Sequence, residues 1–320
     1  MSGKTEAQIV YVYGALRSGT TAFRLMLDAH PETVNPGEFD FLFDHLSRDP
    51  SHPTGWRVDV AALRQDRIFH DKHLVLPEGK TRLDGLDLID ALLDQLKAQA
   101  PTAKVVSLNV HRNAARLIEA YPDARLIHMI RDPRDVARSS IPMGWAAHVY
   151  HGVDHWCETE RDWDAISTLI LPENQLLLRY EDLFSDWESE LKRVCDFLDI
   201  TWSPAMLSYH EHTSYAAPDP KLIAQWRHKC SMDDIALVEG KLGDLLTERG
   251  YAFATSPRTP TTMERFKLAL QHKLYRWRFG TRTYGPLLYW GEKLSRKLGL
   301  STLNARLAAR ISERHRATLK

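Results

Sequence analysis

"VYGALRSGTT", residues 12–21, closes a short apolar run, Ile9–Tyr13, with one glycine and reaches a second, Gly19, with four residues between them. Two threonines, Thr20 and Thr21, then open a helix-like pattern that runs to Ala29. Strand, glycine-bearing turn and helix in that order make a backbone able to wrap an anion. The glycines let amide N–H groups turn inward, and the helix start adds its positive end. The stretch nearly matches the phosphate loop G-x-x-x-x-G-K-[ST], but Thr20 stands where the lysine belongs. In nucleotide triphosphatases that lysine reaches the terminal phosphates, and the next hydroxyl holds Mg2+. Here the cation, Arg17, lies inside the loop, and the forked donors of arginine suit a tetrahedral anion without a metal. A turn with glycines for backbone reasons alone reads the same way, so the stretch does not decide its ligand by itself.

Outward from this loop, short apolar runs alternate with helical patterns over the first 200 residues. Strands are expected at Lys104–Leu108, Arg125–Ile130 and Gln175–Arg179 as well as Ile9–Tyr13. Helices are expected at Thr20–Ala29, Leu86–Gln99, Arg112–Ala120, Arg134–Ser140, Glu158–Leu169 and Trp187–Leu198. That alternation predicts an α/β fold, a parallel sheet flanked by helices. Ligands of such sheets sit beyond the carboxyl ends of the strands, here Gly14–Thr21, Asn109–Arg112, Arg131–Ser139 and Tyr180–Asp182. Residues Pro31–Lys80 read as a long irregular insertion over the sheet top, a substrate-facing loop. Past Tyr251 the pattern is purely helical, with Thr255–Pro260 as a linker, so the chain divides into residues 1–254 and a basic helical extension, 255–320.

With 320 residues, 26% charged and 43% hydrophobic, the chain has an ordinary globular composition. The three cysteines, Cys157, Cys195 and Cys230, form no CxxC pair, and their odd number suits a reducing compartment. MSGKTEAQIV has no basic segment leading into a long apolar run, and no stretch approaches the ~20 apolar residues of a membrane span. A cytoplasmic location is expected. Zero net charge hides an asymmetry: Arg258–Lys320 carries 15 Lys+Arg against 3 Asp+Glu. That tail has a field of its own, suited to an acidic body, an acidic partner or a membrane surface.

A second anion-binding pattern is "RLIHMIRDPRDVARSS", residues 125–140. A strand ends at Arg131, Pro133 opens a helix, and Ser139 follows about two turns on. Arginine with a hydroxyl makes a phosphate site. A local ion pair of Arg131 with Asp132 or Asp135 is the plainer alternative.

Together, "GALRSGTT" and, roughly 110 residues later, "LIHMIRDPRDVARSS" resemble the PAPS-dependent sulfotransferase family, nearer its bacterial, tyrosylprotein and heparan branches than its cytosolic branch. Phe23–Glu32, "LLLRYEDLFSDWESELKRVCDFLDI" (176–200) and "IAQWRHKCSMDDIALVEGKLGDLLTERGYAF" (223–253) resemble further parts of that family. The resemblance implies a sulfotransferase fold, a P-loop-like parallel sheet flanked by helices. It implies transfer of a sulfuryl group from 3′-phosphoadenylyl sulfate (PAPS) to a hydroxyl or amine, with 3′-phosphoadenosine 5′-phosphate (PAP) as product and no metal. Residues Arg17, Ser18, Gly19, Thr20 and Thr21 would hold the 5′-phosphosulfate, Arg17 facing the transferring group, and Arg131 and Ser139 the 3′-phosphate. A catalytic base is expected at Glu38, in "NPGEFDFLFDHL", with His111, in "SLNVHRN", as its rival. Asp40 and His45 are weaker candidates. Asn109 holds the place of the lysine in the K-x-H element of the cytosolic branch, and no K-x-P replaces it.

Other features point less sharply. His148, His151 and His155 lack the accompanying carboxylate of an H-E-x-x-H metal site, and Trp145, Trp156 and Trp163 nearby line either a cleft or the core. Leu303, Leu307 and Ile311 share one helical face beside Arg306, Arg310 and Arg314, and residues 266–280 mix aromatics with cations. The acceptor expected is a small molecule, carbohydrate or lipid, not nucleic acid. Peripheral membrane contact and homodimerisation through the basic tail stay open. A Mg-dependent P-loop kinase and a non-catalytic nucleotide-binding protein of the same fold are the alternative functions.

Overall fold

The strands nearest the loop alternate their side chains between two cores. In β1 (Gln8–Tyr13), Val10 and Val12 pack into one apolar cluster and Tyr11 and Tyr13 into another. Period-two alternation with both faces buried is what a parallel sheet covered by helices requires. The computed structural model describes residues 7–77, 83–213 and 215–318. After β1 come β2 (Thr33–Val34), β3 (Leu46–Arg48), β4 (Trp56–Val58), β5 (Val105–Val110), β6 (Arg125–Ile130) and β7 (Gln175–Arg179). Five of them form a parallel sheet in the order β2-β5-β1-β6-β7. From central β1 the chain builds one side of the sheet and then returns to build the other. That reversal opens a crevice beyond the carboxyl end of β1, between its neighbours β5 and β6.

Helices Thr20–Asp28 and Trp187–Phe197 supply Phe23, Met26, Leu27, Leu191 and Val194 to the core on the Val10–Val12 face. On the other face, helix Gly85–Gln99 contributes Leu88, Ile89, Leu92 and Leu96. Each such side chain stabilises the fold by about 1.5–3 kcal/mol when fully buried.

The reading of Pro31–Lys80 as an irregular loop is overturned. Its described part carries the edge strand β2, the antiparallel pair β3–β4 and short helices at Phe41–Asp44, Val60–Leu63 and Arg67–Asp71. Phe39, Phe41, Phe43, Leu46 and Leu63 are fully buried in the core. Pro, Gly and Asp punctuate elements of only two to five residues, too short for a periodic pattern to register. Residues 78–80 lie outside the described ones.

Packing divides the chain into two compact units, Met1–Asp135 with His155–Gln225, and Val136–Asp154 with Trp226–Lys320. The first holds the sheet. The second is helical, chiefly Met232–Leu242, Thr262–Tyr284, Pro286–Lys297 and Ser301–Thr318. Residues 226–254, which the sequence assigns with the sheet, pack within the second unit. The Thr255–Pro260 linker is strapped down rather than loose. Buried Glu239 accepts hydrogen bonds from the Ala254 and Thr255 N–H groups at 2.9 and 3.0 Å, and Arg258 pairs with Asp233 and Glu264.

Candidate functional site

The loop after β1 is a turn whose shape its glycine enforces. Ser18 N–H donates to the Ala15 carbonyl at 3.1 Å, and the next residues pass through the left-handed region, Arg17 at φ 73° and Gly19 at φ 95°. At Gly19 a Cβ would stand 2.4 Å from the Tyr180 ring, so glycine is required both by conformation and by space. Gly19 caps the helix Thr20–Asp28 without a side-chain hydrogen bond, leaving the helix start to a ligand or water. The Ser18 hydroxyl is buried and has no hydrogen-bond partner among the described residues. Burying an unpaired hydroxyl costs about 1–3 kcal/mol, which makes it a group awaiting an acceptor. Arg17 reaches solvent, yet the protein around its guanidinium displaces water and lowers its pKa; Tyr215 acts the other way, and the charge of Arg131 lowers it further.

Arg131, at the end of β6, reaches back to this loop. Its Nη1 donates to the Arg17 carbonyl at 3.3 Å and its Nη2 to the Leu222 carbonyl at 3.0 Å. The guanidinium lies 3.9 Å over the Tyr180 ring, and its buried Nε has no hydrogen-bond partner among the described residues. Of the two local carboxylates, Asp135 pairs with Arg131, 3.9 Å from Nη2, whereas Asp132 is held by Arg134 at 2.8–2.9 Å. The Trp156 indole fixes the Arg131 backbone by donating to its carbonyl at 3.0 Å. The backbone continues into helix Pro133–Ser139, whose last residue is Ser139; Ser139 belongs to the second unit and Arg131 to the first.

On the other side of β1, the two candidate bases meet. Glu38 joins the end of β5 by a bridge to Asn109, and its Oε1 is 4.0 Å from His111 Nε2. His111 Nδ1 is 2.7 Å from the Gly14 carbonyl, which only accepts, so Nδ1 carries a proton and Nε2 is the ring nitrogen that faces Glu38. Half of the Glu38 side chain is exposed, whereas His111 is buried. Asp40 is buried and receives the His111 and Arg112 backbone N–H groups at 2.7 and 3.2 Å. Burial raises its pKa, and the His111 and Arg112 contacts oppose the rise. Its place is to fix the backbone that carries His111.

Lys72 stands here unannounced by sequence reading, and Asn109, which the sequence marks only as the place of a lost lysine, has a structural role. Lys72 donates to the Pro36 carbonyl beside Glu38; burial lowers its pKa, Arg24 adds to the fall and Glu38 opposes it. Asn109 uses its side chain to accept from Asn35 at 3.1 Å and donate to the Thr20 carbonyl at 3.5 Å, tying the loop helix to the Glu38 segment. Lys72 lies 34 positions beyond Glu38, and no local motif links them.

A family description reading "Sulfotransferase family" matches residues 9–204, more than half of the chain. The chain belongs to the sulfotransferase family. It is 28% identical over 215 residues to a "putative protein-tyrosine sulfotransferase" of Caenorhabditis briggsae, covering 64% of this chain and 70% of that one. It is also 28% identical over 153 residues to the omega-hydroxy-beta-dihydromenaquinone-9 sulfotransferase of Mycobacterium tuberculosis, covering 42% of this chain and 37% of that protein. Its match to the protein-tyrosine sulfotransferase of Drosophila melanogaster, 24% identical over 64% of this chain, spans 41% of that protein. Among solved structures, a sulfotransferase domain from the Synechococcus PCC 7002 olefin synthase aligns with 76% of this chain and 97% of that one, at 19% identity and a TM-score of 0.49.

In this sulfotransferase-family chain, Arg17, Ser18, Gly19, Thr20 and Arg131 are brought to one crevice, with Glu38 and His111 beside it. His45 is set apart, 3.2 Å from Asp66. The three histidines of 148–155 take separate partners: His148 pairs with Asp234, His151 approaches Asp154, and His155 faces the Leu16 carbonyl. Trp156 is core, and Trp163 stacks on His128 at 4.0 Å.

Proposed function

We propose that this chain moves a sulfuryl group from PAPS to a hydroxyl or amine of a small-molecule, carbohydrate or lipid acceptor, with residues 1–254 carrying the chemistry. The observation that carries the reading is the hydrogen bond from Arg131 to the Arg17 carbonyl. It sets two candidate anion-binding elements side by side, each with a buried polar atom lacking a partner among the described residues, Ser18 Oγ and Arg131 Nε. A nucleotide with phosphate groups at both 5′ and 3′ positions fits that pair of demands. A nucleotide with only a 5′-phosphate chain leaves one of them unmet.

When bound, the donor supplies a sulfuryl group on a phosphate leaving group. The amides of Gly19–Thr21 and the Ser18, Thr20 and Thr21 hydroxyls would hold that phosphate, and Arg17 would stabilise the charge that grows there during in-line transfer. Arg131 holds the 3′-phosphate, and Ser139 is assigned to it on the family resemblance alone. Glu38 accepts the acceptor's proton because its carboxylate is the one open to solvent. His111, held in place by Gly14 and Asp40, orients the Glu38 carboxylate from Nε2. Lys72 supplies the second cation in place of the lysine that Asn109 displaces. Two relatives' names, protein-tyrosine and omega-hydroxy-menaquinone sulfotransferase, each specify an acceptor bearing a hydroxyl.

The test is thermal shift with PAP against ADP, each with and without EDTA, followed by labelled-sulfate transfer from PAPS. PAP is expected to stabilise more than ADP and to ignore EDTA. Failure of PAP to stabilise overturns the reading, and an EDTA-sensitive preference for ADP favours a kinase.

A further inference from the structure

We propose that helices Thr262–Tyr284 and Pro286–Lys297 form a docking surface for an anionic lipid bilayer. In helix Thr262–Tyr284, Met263, Phe266, Leu270 and Leu274 are exposed, Met263 to 75%. Their spacing, three then four then four, places them on one stripe of the helix. In helix Pro286–Lys297 and its cap, Leu287, Trp290, Leu294 and Leu298 repeat the same spacing and are also exposed, Leu287 to 91%. Single exposed leucines are common, but two aligned stripes are not.

The stripes belong to one surface. Trp277, three residues past Leu274 on the same stripe, meets Trp290 of the second edge-on, with ring centroids 5.4 Å apart. The Trp290 indole N–H is satisfied within the helices by Thr281 at 3.1 Å. Gly280 is buried where the two helices cross, and a Cβ there would fall 2.2 Å from the Tyr289 ring. The surface is therefore held in shape before anything binds, which reduces the ordering cost of binding.

Cations border the stripes. The Lys273 ammonium lies 4.9 Å over the Trp277 ring and the Lys293 ammonium 4.9 Å over the Tyr289 ring. Lys267 and Arg278 flank the first stripe, and Lys297 flanks the second. Arg258–Lys320 as a whole holds 15 Lys+Arg against 3 Asp+Glu. That charge chooses the occupant. A second copy that covered these stripes symmetrically, with its own, would bring an equal positive charge against them, and like charges repel. An anionic bilayer offers an apolar interior, a negative surface, and an interfacial depth that tryptophan and tyrosine prefer. No described helix is long and apolar enough to cross a membrane, so these helices lie on the surface.

The experiment is co-sedimentation of the full chain with vesicles of phosphatidylcholine alone and of phosphatidylcholine mixed with phosphatidylserine. The chain is expected to pellet with the mixed vesicles, and much less with the neutral ones or at high salt. Leu287→Glu with Leu294→Glu is expected to lower that partitioning about tenfold or more. Lys267→Glu with Lys273→Glu lowers it several-fold, and circular dichroism confirms that both variants are folded. The proposal fails if the chain does not pellet with the mixed vesicles, or if the leucine variant pellets as the parent does. It also fails if light scattering finds a lipid-free dimer that the leucine substitutions dissociate, because the surface then belongs to a second copy.

Discussion

The loop at residues 14–21 and the helices at 262–318 break the burial rule in opposite ways. Around the loop, polar atoms that water would satisfy are buried without partners among the described residues, Ser18 Oγ and Arg131 Nε. On the helices, apolar side chains that the core would take are left in solvent, Leu287 and Met263 foremost. Each violation costs stability, about 1–3 kcal/mol for a buried unpaired group. Each also names its partner's chemistry: a small anion with defined acceptors at the loop, and a broad apolar surface with negative charge at the helices. The loop achieves its geometry through backbone conformation. The helices achieve theirs through side-chain periodicity.

The largest effect should come from the proton acceptor. Glu38→Gln is expected to lower the transfer rate by about 10²–10⁴ while leaving PAP affinity nearly unchanged. A loss confined to His111→Gln, with Glu38→Gln active, would reverse the two roles. Next, Arg131→Ala should weaken PAP binding about 10–100-fold and leave 5′-AMP almost unaffected, measured by calorimetry. Equal losses on both ligands would remove Arg131 from the 3′-phosphate and dissolve the loop's half of the contrast. Gly19→Ala forces a side chain into the Tyr180 ring at a positive φ and should cost about 1–3 kcal/mol in denaturant unfolding. An unchanged midpoint would mean that the turn yields more easily than its geometry implies.

The smallest effect concerns the helices. Burial lowers the His272 pKa, with the charges of His151, Arg276 and Lys241 adding to the fall and Asp154 opposing it. The folded chain thus binds this proton less readily than the unfolded chain, whose histidines titrate near ~6.5. The stability it contributes is present above that value and is lost as the pH falls through the lower folded value. The fall in melting temperature on acidification from about pH 7.5 to 5.5 should shrink in His272→Gln. An identical slope in the variant would show that other groups carry it.

Local chemistry wrote much of this molecule into its sequence. Strands β6 and β7 fall at their expected bounds, Arg125–Ile130 and Gln175–Arg179, because apolar runs bounded by turn residues are a local signal. The glycines and threonines of 14–21 and the arginine closing β6 also mark themselves, since phosphate chemistry needs those residue types at those spacings. The single parallel sheet and the sulfotransferase family follow from these pieces together. Tertiary structure alone decided the rest. It turned residues 31–77 from a loop into core, because elements of two to five residues have no period to read. It set Glu38 and His111 4.0 Å apart, making partners of residues that the sequence offers only as rivals. It brought Lys72 to the same segment, and it left two aligned apolar stripes uncovered on the basic helices. Contacts between residues far apart in the chain, and the exposure of one face over another, are properties of packing. No window along the sequence contains them.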